Sequence, residues 1–381
     1  MAETYSTLTA LFTDIADAIR EKTGDASVIV ADDFPDVIRE SLQAIPQSYL
    51  TFSSPSSFTL AVNDATKHWD GTLECSTDKK TWTTWDGMTT LSSTTSGSKD
   101  VLYLRGTGNT VITGNNSNYK WVLTGTDIKC IGNIENLLDY ATVESGEHPT
   151  MAQYCYSNMF YKCTSLIQAP ALPATTLASR CYRYMFYGCT NLTQAPALPA
   201  TTLATYCYSY MFNGCKGLTK APELPATTLA SSCYVNMFQG CTSLTQAPAL
   251  PATTLAGQCY QSMFSGCKGL TQAPKLPATT LGSYCYYGMF YGCTGLTQAP
   301  KLLATTLESN CYQNMFSGCT SLKLSPTQTG EYTVTYRIPM SGTGTTATDA
   351  LTDMFASTGG TFTGTPEINT TYYLSNINTI V

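Results

Sequence analysis

The chain has 381 residues, a formal net charge of −6, and only 12% charged against 43% hydrophobic residues. That apolar content excludes disorder from lack of a core, and the absence of any run of 18 apolar residues excludes a membrane-spanning helix. Two histidines, His68 and His148, leave little room for histidine-based catalysis or histidine-rich metal sites. The length points to roughly two to four modules, and the start, Met1 to Tyr5, lacks the basic region of a cleaved signal.

Residues 1–47 read as a helical hairpin. Leu8, Leu11, Phe12, Ile15, Ala16 and Ile19 make one helical stripe, and Gly24 stops it. Asp32 or Asp33 caps a second helix, with Pro35 in its first turn and Ile38 and Leu42 turned inward. The phrase Asp17 to Gly24, followed by Ala31 to Pro35, is similar to N-termini of tail-associated proteins in phages of Gram-positive bacteria. That resemblance implies a module for attachment to other virion tail proteins, or for homo-oligomerisation, with a trimer as the guess from tail architecture.

Residues 48–125 change texture. Short alternating runs at 57–62, 72–76, 81–85 and 101–104, punctuated by Thr, Ser and Gly, predict a small antiparallel β-sandwich-like domain. All four tryptophans, Trp69, Trp82, Trp85 and Trp121, fall here. They suit a core, with stacking on sugar rings as the alternative if exposed. Residues 126–154 read as an N-terminal cap for the repeats downstream, with a short helix over 132–140.

From Cys155 the chain repeats. Cys155, Cys181, Cys207, Cys233, Cys259, Cys285 and Cys311 recur every 26 residues, and a second set from Cys163 to Cys319 keeps the same step. The periodicity reads as seven units over 155–322. Cys, Tyr, Met, Phe and Cys hold fixed at offsets 0, 1, 4, 5 and 8 of a unit. At the helical angle they span roughly 0–140° of one face, while the varying offsets 2, 3 and 6 fall on the other. The spacing therefore predicts a short helix per unit, ended by a Gly such as Gly188, then a short strand such as Leu192 to Ala195, broken by Pro196 and Pro199. Two cysteines eight apart on one helix would lie roughly 12 Å apart, and a disulfide needs Cα atoms within about 7 Å, so no bridge forms within a unit. Between units distance does not forbid one, but buried free thiols on the apolar stripe fit better.

The phrase Met185-Phe186-Tyr187-Gly188-Cys189-Thr190-Asn191-Leu192 and its copies resemble the BspA-like leucine-rich repeats of bacterial and phage proteins, from about Gln153 to Leu322. The resemblance implies a mixed α+β leucine-rich-repeat solenoid that serves as a binding scaffold. Residues 323–381 read as a degenerate further unit plus cap, with Met354-Phe355 echoing the repeat and a strand at 331–336.

Charge is divided along the chain. Residues 1–154 carry a net −10, residues 155–323 a net +7, and residues 324–381 a net −3. A basic slab favours anionic partners, a bacterial surface protein or an anionic glycan; without a basic cluster or reader motif it does not suggest nucleic acid. The varying slots carry Tyr, Ser, Asn, Gly and Arg where a drifting surface would carry Lys and Glu, a recognition vocabulary. The candidate face is Tyr161, Arg180, Arg183, Tyr184, Tyr187, Tyr206, Tyr210, Asn213, Asn236, Gln239, Tyr284, Tyr287 and Tyr291. No catalytic residues, metal ligands or cofactor are expected: Glu223 and Glu308 are the only acids within the repeats, too far apart to act as a pair. The expected function is a phage or prophage tail protein that recognises the host. It would fold in the bacterial cytoplasm, reside in the virion and leave by lysis. A surface adhesin, which would need an export route, or a purely structural virion protein are the alternatives.

Overall fold

The computed structural model describes residues 49–116 and 119–381; the helical hairpin expected over 1–47 lies outside the described residues. Tyr49–Val381 form one compact unit. It opens with two sheets. The strands of the larger are β1 (Leu50–Ser54), β3 (Thr72–Ser76), β4 (Thr83–Trp85), β6 (Thr94–Ser96), β7 (Lys99–Thr107), β9 (Ile128–Ile131) and β10 (Leu166–Gln168). Their order is β10-β9-β1-β7-β3-β4, with β6 also paired to β7. The smaller sheet is β5 (Leu91–Ser92), β2 (Thr59–Val62) and β8 (Trp121–Thr124).

Alternation builds the core between these sheets. Leu60 and Val62 on β2 and Trp121 and Leu123 on β8 point inward, and the residues that alternate with them are half-buried or exposed. Trp85 on β4 meets Trp121 edge-on at 5.7 Å, and Trp69 lies 5.0 Å from Trp85. Three of the four tryptophans are thus core residues. Trp82 is half-exposed, with the Arg105 guanidinium 4.1 Å above its ring. One helix is found among the described residues, α1 (Asn136–Glu144), interrupted at Asp139. Strand β9 pairs with β1 on one side and, in parallel, with β10 of the first repeat on the other. Phe52 and Trp121 accordingly pack on Phe160 of that repeat, and the core passes without a break into the solenoid.

The repeats contain no α-helix. Arg180 to Cys189 is instead a ribbon of linked turns. Every second N–H bonds back three residues: Arg183 to Arg180, Met185 to Tyr182, Tyr187 to Tyr184 and Cys189 to Phe186. The N–H groups between them point to the next unit: Tyr182 to the Cys207 carbonyl, Tyr184 to Ser209, Phe186 to Met211 and Gly188 to Asn213. Each fourth residue, Arg180, Tyr184 and Gly188, has positive φ near 60–70°, which no right-handed helix allows. The fixed offsets 0, 1, 4, 5 and 8 thus follow a period of four. An α-helix would spend all its interior N–H groups on itself; this ribbon spends half of them on holding the layers together.

The expected strands are also mostly absent. Leu192 to Ala195 is not a strand, because the prolines at offsets 15 and 18 lack an N–H and interrupt any ladder. Only β10 and the short β11 (Gln298–Ala299) form in the repeats. Elsewhere single bridges such as Thr176 to Thr202 and Lys220 to Gln246 suffice.

Stacking in register puts each fixed residue on its own copy. The tyrosines from Tyr156 to Tyr312 form a buried column with ring centres 5.6–5.8 Å apart. The phenylalanines from Phe160 run at 5.4–5.9 Å through Phe316 to Phe355. Gly is nearly fixed at offset 7 because of its backbone. Its φ is positive, 68–76° in every copy that is Gly, and a Cβ built on Gly214 would come into contact with the Gly of the unit before, 3.7 Å from the Gly188 Cα. At the far end the chain adds one more layer: the N–H groups of Tyr312, Asn314 and Phe316 bond the carbonyls of Ala350, Thr352 and Met354. Phe355 then donates to Gly364, which closes the series. Strands β12 (Lys323–Ser325), β13 (Tyr332–Arg337), β14 (Gly359–Gly360) and β15 (Thr371–Ser375) make a small sheet there, and β16 (Thr379–Ile380) pairs in parallel with β11.

The cysteines are free, and all but Cys75 are buried. At offset 8 the thiol donates to the Phe carbonyl of the unit before, as from Cys189 to Phe160 and from Cys215 to Phe186, at 3.0–3.1 Å. Burial pushes Cys163 up to about 11 and Cys241, Cys259 and Cys293 up to about 12. At pH 8 a thiol near 12 is about one part in 10⁴ thiolate, the reactive form. Iodoacetamide at pH 8 is therefore expected to label Cys75 in the native protein and the other fifteen only after denaturation. Rapid native labelling of any ladder cysteine, read by peptide mass spectrometry, would contradict the packing described.

Candidate functional site

The turn ribbon decides which residues reach the surface. At offsets 3 and 6 and just before each unit most residues are partly exposed, although Asn158, Ser232, Ser265 and Ser317 are buried, and tyrosines in adjacent copies stack. Offset 2, expected to face solvent, is mixed: Ser157, Ser209 and Val235 are buried, while Arg183, Gln261, Tyr287 and Gln313 are half-buried. Across the first units the outward residues gather into one cleft of about 620 Å³. Of the candidate residues it takes Tyr161, Arg183, Tyr184, Tyr187, Tyr210, Asn213 and Gln239.

Two aromatic columns line it. Tyr161 stacks on Tyr187 at 4.8 Å, and Tyr184 stacks on Tyr210 at 4.6 Å. Tyr184 meets Tyr187 edge-on at 5.8 Å and joins the columns. Cations sit over this group. Arg183 lies 4.7 Å from the Tyr184 ring centre and 5.8 Å from that of Tyr206, and Arg180 lies between Tyr154 and Tyr206 at 5.3 and 4.8 Å. Lys120 and Lys162 lie 5.5 and 5.3 Å from Tyr161. Beyond the rings the columns turn to amides: Gln239 Oε1 accepts from Asn213 Nδ2 at 2.7 Å and from Asn236 Nδ2 at 3.0 Å.

Not every candidate joins this group. Tyr284 and Tyr287 touch each other at 5.9 Å, and Tyr291 is 51% exposed; they form a separate, more open patch beyond units whose outward residues are small and polar. Ser157 and Asn158, in outward slots of the first unit, also line the cleft, and sequence reasoning missed Tyr154, Lys120, Asn63 and Asn115, which line it too. Tyr154 was within reach, being one repeat step before Arg180. Asn63, Asn115 and Lys120 lie upstream of the repeats, and no local pattern marks them.

The backbone adds a second observation. Arg180, Tyr184, Tyr206, Tyr210 and Tyr284 all have φ between 58 and 59°. Apart from Tyr210, copies of the Tyr184 slot hold Ser262 and, at the other four, Asn158, Asn236, Gly288 and Asn314, the residue types that tolerate this region. A tyrosine there costs about 1 kcal/mol without entering the core. Such strain concentrates at functional sites.

Residues 153–297 and 234–333 match the family model for the BspA type leucine rich repeat region, in six copies. The repeats are BspA-like. They cover just under half of the chain and support a leucine-rich-repeat protein of that kind, with the protein-binding or adhesin-like role such repeats suggest. No curated protein and no solved structure matches the chain.

Exchange of Tyr210 for its neighbours' residue separates the two roles of tyrosine. Tyr210→Asn relieves the strained backbone and gives up a stack worth about 0.5–1.5 kcal/mol, so stability is expected to stay within about 1 kcal/mol of wild type. Tyr208→Asn, two residues away in the buried column, is expected to lose about 3 kcal/mol or more. Urea denaturation measures both, and equal losses would contradict the division of the ribbon into inner and outer faces.

Proposed function

We propose that this chain is a non-enzymatic recognition protein, and that the Tyr- and Arg-lined cleft of the first repeats is its binding site. The observation that carries the proposal is that Tyr184 and Tyr210, which line the cleft, stand in a left-handed backbone conformation where Asn or Gly would fold more easily. Stability does not account for them, whereas binding does: tyrosine supplies rigid, amphipathic contact area at low entropic cost, and arginine supplies directional charge. The BspA-like repeats fit this role as a stiff scaffold.

The more specific reading is a phage or prophage tail-associated protein that recognises the bacterial host. It rests on the resemblance of Asp17–Gly24 and Ala31–Pro35 to tail-associated N-termini, with residues 1–47 as the attachment module, and on the low charge and aromatic content of the outer repeat face. A bacterial surface adhesin would use the same cleft and differ at the N-terminus.

Labelled full-length protein is expected to bind some strains of a Gram-positive panel and not others. Tyr184→Asn/Tyr210→Asn is expected to lower that binding at least tenfold while the protein stays folded. Flow cytometry checks this, and undiminished binding by the double variant would sink the assignment of the cleft. Immunogold electron microscopy of induced lysates tests the virion assignment; label absent from tails would leave the adhesin reading.

A further inference from the structure

We infer that the cleft takes an acidic saccharide, the anion held by Arg183 and a sugar ring laid against Tyr187 or Tyr210; this rests on the cleft being the recognition site. Three observations lead there. The first is charge. Lys120, Lys162, Arg180 and Arg183 surround the cleft, no carboxylate lines it, and none of the four makes an ion pair among the described residues. Aromatic faces hold the guanidinium groups instead, which positions them without neutralising them. An anion entering this cleft meets uncompensated positive charge in a partly dry setting.

The second observation is two unsatisfied atoms of opposite kind. In the cleft Arg183 Nε is buried and donates to nothing; beside it, on the amide bonded to the lining Gln239 but not itself part of the lining, Asn236 Oδ1 is buried and accepts nothing. Buried polar atoms are seldom left unpaired. The pair calls for a ligand with both a charged acceptor and a neutral donor. A uronic acid or a phosphorylated polyol carries both, an anionic oxygen for the guanidinium fork and hydroxyl donors for the amide. A glutamate or aspartate side chain supplies acceptors alone.

The third is the way the aromatic columns end. Tyr187 is followed one unit on by Asn213, and Tyr210 by Asn236. Beyond the stacks already described, neither ring has an aromatic or cationic neighbour on the side of the later unit. A pyranose has an apolar C–H face and hydroxyls around its rim. Set on either tyrosine, the face covers the ring and the rim reaches the linked amides of Asn213, Asn236 and Gln239. An extended acidic peptide would instead look for free backbone N–H groups, and in this ribbon those of Tyr184, Gly188 and Tyr210 are already bonded to the next unit.

Isothermal titration of the full chain decides the matter with four probes: oligogalacturonate, its neutral methyl ester, glycosylated poly(glycerol phosphate), and poly-L-glutamate. At least one of the two acidic carbohydrates is expected to bind, and which one does separates carboxylate from phosphate as the anion. Arg183→Gln and Tyr210→Asn are each expected to weaken that binding at least tenfold, Tyr291→Ala to leave it unchanged, and 0.5 M NaCl to reduce it. Binding of poly-L-glutamate as tight as that of either carbohydrate, binding of neither, or indifference to Arg183→Gln would overturn the inference. Treated cells keep it apart from the recognition reading. Cell binding is expected to survive protease and be lost after periodate. If binding is instead lost after protease yet still needs Tyr184 and Tyr210, the ligand is a protein: the saccharide is wrong and the cleft assignment stands. If binding ignores those tyrosines, both are wrong.

Discussion

Everything in the repeat region depends on how alternate backbone N–H groups are spent. In the ribbon from Arg180 to Cys189, one N–H closes a turn and the next joins the layer to its neighbour. No interior donor of this segment is left over, although it is neither helix nor sheet, so burial carries no penalty for orphaned backbone groups. Because the ribbon's own inter-layer N–H bonds all run from one unit to the next, the ribbon has a direction. Its first layer needs donors from before it, which Ile112 and Trp121 supply to Cys155 and Met159. Its last layer needs acceptors from beyond it, which Gly364 supplies to Phe355. The upstream sheets and the C-terminal layer are therefore extensions of the ladder as much as covers for its apolar ends.

The ladder also explains the composition. Holding copies in register makes like residues stack on like, and the interior accepts those whose self-stacking is favourable: tyrosine, phenylalanine and the small thiol. Cysteine at offset 8 fits a site that wants a small apolar group with a weak donor aimed at the Phe carbonyl of the unit before. The same register acts on the outside. A tyrosine placed in adjacent copies becomes a stacked column with no further design, so a binding face can be assembled one substitution at a time. The backbone charges for it, since the outer slots include left-handed positions that prefer Asn and Gly. Where those residues stand, as at Asn236 and Gly288, the slot follows the backbone's own preference; where Tyr184 and Tyr210 stand, something besides folding keeps them there.

The misreading of the ribbon as a helix has a physical cause. The fixed offsets 0, 1, 4, 5 and 8 make an apolar stripe at 100° per residue and an equally good one at 90°, and over eight residues the two periods diverge by only about 80°. Hydrophobic spacing alone cannot choose between them in so short a segment. A choice was still available in the varying slots. Glycine at offset 7, preceded four residues earlier by Asn or Gly in Asn236, Gly288 and Asn314, marks a left-handed residue at every fourth position.

The sequence by itself determined the repeat, its step, the buried identity of its fixed residues and many of the outward slots, because a strict internal period separates what packing requires from what it tolerates; it left bridges between units open, and the structure has the thiols free. Tertiary structure alone decided the rest. Stacking in register gathered Tyr161, Tyr184, Tyr187 and Tyr210 into columns while leaving Tyr284, Tyr287 and Tyr291 apart. Continuity of the core with the upstream sheets brought Lys120, Asn63 and Asn115 to the same cleft, since a backbone ladder fixes where layers meet and no residue pattern along the chain records which distant segment will supply the first of them.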